Sequence, residues 1–380
     1  MAQQIKILNV NMSLDPVAGG GTAERTLQMS KFLAKAGINC TILTTNSGLR
    51  EQHFGKLKNL NIVLLPTLVD RFFIPNSGLL KIKRIIKDVD IVHLMNHWTL
   101  INALVYFIAR SLRKPYVVCP AGALTIRGRS EIMKKLYNFI VGRNIIRSAN
   151  RCIAISPNEE EQFHAYGVSK EKITHIPNCI NPDDFQENDN VGFRRKFGLG
   201  EAPFILFMGR LNAIKGPDLL LHAFCHAKEK LKNFHLVFAG PDEGMLTELK
   251  RIAADHGAGN RVHFIGYIEG NDKSHAYHAA DLFVIPSRKE AMSIVALEAG
   301  VTGTPVLLTD QCGFDDVARV HGGLMVSATV DGLQHGLVEM LQDKDSLAAM
   351  GMKLKEHVIS NFTWDIIVER YRTLYNGILF

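Results

Sequence analysis

The chain has 380 residues, 47% of them hydrophobic and 21% charged, which is ordinary for a soluble globular protein and excludes a disordered or low-complexity class. Charge is uneven: residues 1–180 carry 24 Lys and Arg against 11 Asp and Glu, net +13, whereas residues 181–380 carry 20 against 26, net −6. A basic first half implies that this half meets something anionic: a phospholipid surface, a polyprenyl-phosphate carrier or a nucleic acid.

At that length, two domains of about 180 residues each can bury a full core. The start, MAQQIKILNVNM, runs straight into a strand pattern. It lacks the basic, then apolar, then small-residue order of a signal peptide, so a cytoplasmic location is expected. The longest apolar run, Leu100 to Ala109, is interrupted by Asn102 and is about half of what a membrane span needs. The six cysteines (Cys40, Cys119, Cys152, Cys179, Cys225 and Cys312) form no C-x-x-C pair and no zinc-type spacing with a His pair. They read as reduced, buried thiols.

In the first half, IKILNV, NCTILT, NIVLLP, DIVHLM, YVVCP and RCIAIS are short, β-branched runs bounded by turn residues and predict buried strands. Between strands lie amphipathic stretches such as residues 23–37, where Leu27, Met29, Leu33 and Ala34 recur at helical spacing and Gly37 provides the stop. The second half repeats the grammar. FILFMG, FHLVFAG, RVHFIGYI, LFVIPS and PVLLTD predict strands. Residues 216–231, 243–257, 273–280 and the stretch after Ser293 predict helices. Strand and helix in alternation give parallel sheets covered on both faces. The expected fold class is α/β: two doubly wound Rossmann-like domains facing a cleft, joined near residues 175–185, where prolines and Asx residues cluster.

Three segments carry candidate chemistry. In residues 288–310, Glu290 and Glu298 are eight apart. On one helix that spacing would leave them about 80° apart, so Glu290 is placed on the loop after LFVIPS, with a helix starting near Ser293. Ser293 is the expected N-cap, and the free N–H groups of Ile294 and Val295 then suit a diphosphate. Taken alone, the segment is equally a surface glutamate followed by a core helix. In residues 207–224, Arg210 and Lys215 follow a strand ending at Gly209. Cations there can neutralise a diphosphate leaving group; solvated loop cations are the plain alternative. In residues 15–27, three glycines (Gly19, Gly20, Gly21) open a helix. The loop is not G-x-G-x-x-G, because Glu24 holds the third position, nor a P-loop, because no G-K-[ST] follows.

In order and spacing, the Gly-Gly loop, the GR…KG segment and the E-x7-E segment ending in ALEAGVTGTPV resemble the retaining glycosyltransferases of family 4, which have the GT-B fold. VFAGPDE, VHFIGYI, IPNCINPDDF and FTWDIIVERYRTLY add to the resemblance, which spans nearly the whole chain. It implies an acceptor domain over residues 1–178 and a nucleotide-sugar donor domain over 179–362, with a final helix over 363–380 packing back on the first. By the same resemblance, Arg210 and Lys215 hold the donor diphosphate, Glu290 contacts the transferred sugar and Glu298 binds the ribose. N–H groups of Ser293, Ile294 and Val295 touch phosphate and sugar. Gly240 and Ile268 lie near the donor and its base, and Gly20 and Gly21 close over the phosphates. Retention by front-face transfer is implied, with UDP as the family's usual nucleotide.

The chain departs from the family pattern at Glu290-Ala291-Met292-Ser293, where E-G-F-G is usual, and at Asn178-Cys179, where N-G is usual. Where many relatives carry a histidine in the VVCPAGAL segment, this chain has Ala121. His97 is the candidate substitute and His93 the runner-up, with a satisfied core histidine as the competing assignment for each. No D-x-D pair sits at a strand end, and Asp183-Asp184 falls in the joint, where a turn is expected, so no metal or other cofactor is expected. On the acceptor side, residues 127–151 carry seven Lys and Arg against one Glu, with Ile132, Met133, Leu136, Phe139 and Ile140 at helical spacing. That pattern suits an anionic membrane surface and a lipid-linked saccharide acceptor; a solvated basic face over a core helix fits equally. Residues 69–87 add aromatics and cations. The rival functions are a nucleotide-cofactor oxidoreductase, opposed by the failed glycine fingerprint, a nucleic-acid-binding protein, opposed by the lack of a recognition motif, and a GT-B hydrolase or disaccharide synthase.

Overall fold

The structure, a computed structural model, describes residues 4–15, 19–48, 57–69, 74–75, 78–126 and 130–380. The chain divides into two compact units, Met1–Asn178 with Trp364–Phe380, and Cys179–Thr363. In chain order the first unit contains β1 (Lys6–Val10), α1 (Gly20–Lys35), β2 (Asn39–Thr45), β3 (Leu60–Leu65), β4 (Thr67–Val69), β5 (Ile74–Pro75), α2 (Leu79–Asp88), β6 (Ile91–Met95), α3 (Leu100–Ser111), β7 (Tyr116–Cys119), α4 (Glu131–Tyr137), a π turn over Asn138–Gly142, α5 (Arg143–Arg147), β8 (Arg151–Ala154), α6 (Asn158–Ala165) and β9 (Ile173–His175). Seven strands form one sheet in the order β3-β2-β1-β6-β7-β8-β9, every pair parallel. Isoleucine, valine and leucine fill β1 and β6 because both faces of a parallel sheet are covered.

The second unit contains α7 (Asn190–Phe197), β10 (Phe204–Met208), α8 (Pro217–His226), β11 (His235–Ala239), α9 (Leu246–Asp255), β12 (Val262–Gly266), α10 (Asn271–Ala279), β13 (Leu282–Ile285), α11 (Ile294–Thr302), β14 (Val306–Thr309), α12 (Asp316–Arg319), β15 (Gly323–Val326), α13 (Val330–Met340) and α14 (Lys344–Asn361). Its six strands run β12-β11-β10-β13-β14-β15, again all parallel. α15 (Trp364–Leu379) belongs to the first unit. Its stripe of Trp364, Ile367, Val368, Tyr371, Leu374 and Tyr375 is buried, and the Trp364 ring stacks on Phe32 of α1 at 6.0 Å.

In each sheet the order reverses at one strand, β1 in the first and β10 in the second. Such a reversal opens a crevice beyond the carboxyl ends of the flanking strands, and open α/β sheets bind ligands there.

Three local expectations are corrected. The helix expected over 216–231 ends at His226. Leu231 is then buried through a run of turns, so the chain bends inward instead of continuing along a lysine-rich face. The helix expected over 243–257 starts at Leu246, because one Asp242 carboxylate oxygen accepts the N–H groups of Gly244, Met245 and Leu246. The helix expected within residues 127–151 is confined to 131–147, where α4 runs through the π turn into α5 and the π turn holds Asn138 inward against Tyr166; residues 127–129 lie outside the described residues.

Candidate functional site

The second unit's switch point gathers most of the expected residues. Beyond β10 and β11, the backbones of Gly209 and Gly240 touch: a Cβ on Gly240 would lie 1.9 Å from the Gly209 carbonyl oxygen, and its φ is +147°. Only glycine permits this approach. The Gly240 N–H donates to the Gly266 carbonyl at 2.7 Å, tying β11 to the end of β12. Ile268 follows and is buried.

From the end of β10 the chain presents Arg210 and Lys215. Arg210 Nη1 lies 3.0 Å from Glu243 Oε1, and Asn212 donates to the other oxygen of Glu243 at 2.6 Å. Asn212 also accepts the Lys215 N–H at 3.0 Å, fixing the turn that carries the lysine. The Lys215 ammonium reaches Glu290 Oε1 at 3.0 Å, and Ser287, just past β13, donates its hydroxyl to the same oxygen. Glu290 is itself anchored through its N–H to Gln311 O at 2.7 Å. Loops after β10, β13 and β14 therefore meet at one carboxylate.

α11 begins beside this pair. Ile294 and Val295 lie in its first turn, where N–H groups have no intrahelical acceptor. Ser293 departs from expectation. It holds the N-cap position, but its hydroxyl makes no capping bond and is buried without a partner, and its own N–H donates to Cys312 O at 3.2 Å. Alongside, the turn before α12 packs tightly: Gly313, at φ +62°, approaches Ala291 so closely that a Cβ would lie 2.0 Å from the Ala291 oxygen. Nearby, burial pushes the Cys312 thiol up to about 12, with the Glu290 charge adding to it.

Glu298, within α11, is 4% exposed. Lys273 reaches it at 2.6 Å and the Tyr277 hydroxyl donates to its second oxygen at 2.7 Å, both from α10. Burial, then the carboxylate beside it, holds the Tyr277 hydroxyl well above the usual tyrosine range. Sequence reasoning recognised the segment KSHAYHAA as a helix but gave Lys273 and Tyr277 no role; their i, i+4 spacing was the available signal.

In the first unit, Gly20 opens α1 at φ +54° with open space beside it, and Gly19 accepts the Thr22 hydroxyl at 2.8 Å. Residues 16–18 of this loop lie outside the described residues. His97, just past β6, is not an open, solvent-facing group. It is 1% exposed, packed edge-on against Trp98, Tyr137 and Tyr166, with Nε2 at 3.4 Å from Asn138 Oδ1. Burial lowers its pKa to about 4. His93 is deeper, with Nδ1 3.2 Å from the Tyr375 hydroxyl, and burial followed by the Arg25 charge lowers it to about 3. Ala121 adopts φ +50° after β7. The next N–H, of Gly122, is held by the fully buried Glu159, which also accepts the Ile155 N–H at 2.7 Å. Burial raises the Glu159 carboxyl against these two bonds.

Arg25 carried no sequence signal beyond its place on the inner face of α1. Its guanidinium is buried and donates to Ile176 O, Pro177 O, Asn178 Oδ1 and the Tyr371 hydroxyl. It pins α1 and α15 to the segment where the chain leaves this unit.

In the second-unit site, a reversed parallel sheet with two cations, a carboxylate and a helix N-terminus at its switch point is an anion- and nucleotide-binding arrangement of α/β proteins. Residues 192–357 match the model described as glycosyl transferases group 1, and residues 19–184 the model of glycosyltransferase family 4. An uncharacterised glycosyltransferase of Methanocaldococcus jannaschii is 30% identical over 57% of this chain and 57% of its own length. D-inositol 3-phosphate glycosyltransferase 1 of Catenulispora acidiphila is 26% identical over 98% of this chain and 96% of its own. The chain spans about half the length of the first curated relatives it matches. The Anabaena protein HepE, solved in complex with UDP and glucose, has the same fold, with TM-score 0.81 at 17% identity over 98% of this chain and 100% of its own. The chain belongs to the family 4 glycosyltransferases, built on the GT-B fold.

Proposed function

We propose that this chain transfers a hexose-type sugar, with retention, from a nucleotide-diphosphate sugar, most simply UDP-linked, to a lipid-linked saccharide acceptor at the anionic inner face of a membrane. The observation that carries the donor half is the meeting of Lys215, Glu290 and the first turn of α11 at the switch point of the second sheet. UDP is supported by the Anabaena neighbour, whose structure holds UDP and glucose.

In this reading the diphosphate lies against Arg210, Lys215 and the N–H groups of Ile294 and Val295. Arg210 is free to turn to it at little cost, because an ion pair as exposed as Arg210–Glu243 contributes about 0–1 kcal/mol. Glu290, held by Lys215 and Ser287, keeps a free oxygen for sugar hydroxyls. Glu298 takes the ribose through the lone pairs that Lys273 and Tyr277 leave open. The bond from the anomeric carbon to the diphosphate breaks as the acceptor oxygen bonds to the same face, and the acceptor proton passes to the departing phosphate oxygen. Cations and helix amides hold the developing charge, so no metal or other cofactor is required.

The acceptor half rests on the first unit. Ile132 and Phe139 are 82% and 85% exposed, and Met133, Leu136 and Ile140 are exposed beside them, with no buried residue in α4. These side chains do not cover a core. Lys134 and Lys135 lie among them. No described helix is long and apolar enough to cross a membrane, so this face would lie on the surface.

Thermal unfolding against UDP, GDP, ADP, NAD and NADP tests the donor half. A midpoint rise with one nucleoside diphosphate, insensitive to EDTA and lost in Arg210→Ala and Glu298→Ala, is expected. A rise with NAD or NADP alone, or no rise with any nucleotide, overturns it. The anomeric coupling in the product's NMR spectrum tests retention.

A further inference from the structure

Outside the donor site, the second unit brings three histidines together. His222 and His226 are one turn apart in α8 and share a face. His256 is the C-cap of α9, the neighbouring helix. One nitrogen from each lies within 4.8 Å of the others. The ring centroids are 5.7 Å apart for His222–His256, which meet edge-on, and 6.2 Å for the other two pairs, which are tilted.

We propose that His222, His226 and His256 bind one divalent first-row transition ion of the zinc class, which clips α8 to α9. Four observations favour an ion over three merely adjacent rings. His256 Nδ1 lies 3.0 Å from Ile252 O; a carbonyl only accepts, so Nδ1 carries the proton and Nε2 offers its lone pair. A metal-ligating histidine is oriented by a second bond of this kind. Next, His226 is the last residue of α8 and His256 caps α9, so two negative helix ends converge on the trio. The burial is graded, with His226 exposed and His222 and His256 half-buried, which gives an ion a path in from solvent. Finally, the Lys228 ammonium is turned to the His256 backbone oxygen at 3.5 Å, not to the rings.

Three neutral imidazoles suit zinc, cobalt, nickel or copper, whereas magnesium and calcium take oxygen ligands. Three ligands leave a fourth position for water. The trio sits at the helix C-termini, the opposite end of α8 from the Lys215 turn, and thus away from the carboxyl edge of the sheet. It is a structural clip independent of sugar transfer. The H-x3-H spacing stands in the sequence, but the third ligand is distant along the chain and comes from another helix.

The experiment uses the full chain without a polyhistidine tag, stripped with chelator. Zinc is titrated calorimetrically, and cobalt is followed by visible absorption. One equivalent of zinc should bind and raise the unfolding midpoint, while magnesium should not. His226→Ala and His256→Ala should each weaken zinc by at least about tenfold and remove the cobalt spectrum. The exposed His226→Ala variant should keep the metal-free midpoint. His235→Ala, at the separate His235–His263 pair, should change nothing. Absence of stoichiometric binding in the parent, or unchanged affinity in the His222→Ala, His226→Ala, His256→Ala triple variant, overturns the proposal.

Discussion

Lys215 and Glu290 stand 3.0 Å apart with side chains only 25% and 10% exposed. Removing the lysine leaves a carboxylate held by one serine hydroxyl in a largely dry place. Lys215→Ala should therefore destabilise the protein by about 1–3 kcal/mol and lower turnover by about 10²–10³-fold, the loss usual when one group stabilising developing negative charge is deleted. Glu290→Gln in the same background should lose less stability than the two single changes added together, because the residues share one interaction. Urea unfolding of the four proteins measures that coupling, and strict additivity would show that the pair is incidental. The places of Arg210, Lys215 and Glu290 after strand ends, and of Glu298 inside the helix that follows, were legible in the sequence from strand and helix patterning, while their roles rested on the family resemblance. Their partners Glu243, Asn212, Ser287, Lys273 and Tyr277 were not, because contacts between loops of different strands leave no local pattern.

At the scale of elements, the start of α11 is set by a turn 20 residues away from Ser293 that the sequence did not flag. Ser293 has the right residue type for a cap, yet its hydroxyl makes no capping bond, and its N–H ties the helix start to Cys312. Gly313 makes this contact possible, with φ +62° and its Cα against the Ala291 carbonyl. Gly313→Ala should destabilise by about 2 kcal/mol or more and shift α11, weakening nucleotide binding while leaving the first unit intact; unchanged nucleotide affinity would separate the turn from the site. The first unit has its own element-scale test in the core around β6. His93 and His97 titrate at about 3 and about 4 when folded, against about 6.5 when unfolded. Their folded pKa values are depressed, so their contribution to stability is complete above pH 6.5. It falls as the pH drops from there toward the folded values, at about 1.4 kcal/mol per pH unit for each histidine. Glu159, raised by burial, works in the opposite sense. His97→Asn should flatten the decline between pH 6.5 and 4.5 by about one proton's worth, measured as urea midpoints across pH; an unchanged slope would show that His97 does not stay neutral in the fold.

For the molecule as a whole, the alternation of strand and helix was enough to give two doubly wound sheets, because period and turn chemistry are local. Which apolar residues would be left outside was only half legible, because the helical spacing of Ile132, Met133, Leu136, Phe139 and Ile140 suits a membrane face and a core-facing stripe equally, and they are exposed. Leu79 and Leu80 of α2 are also exposed, beside Lys81, Lys83 and Arg84. Together with a net +13 on residues 1–180, these faces make the first unit's surface both apolar and cationic. Each basic side chain near an anionic bilayer contributes about 1 kcal/mol, and the attraction fades within a Debye length. The protein should therefore cosediment with vesicles containing phosphatidylglycerol, weakly with pure phosphatidylcholine, and progressively less as salt rises. Lys134→Glu with Lys135→Glu should cut partitioning by well over tenfold, each change replacing an attraction with a repulsion. Phe139→Ser with Ile132→Ser should weaken binding to both vesicle types without altering its salt dependence, because apolar insertion is not screened. Equal binding to the two vesicle types would show apolar insertion without electrostatic attraction, whereas binding to neither would leave this face to an apolar protein partner, and the acceptor would then have to reach the enzyme in solution.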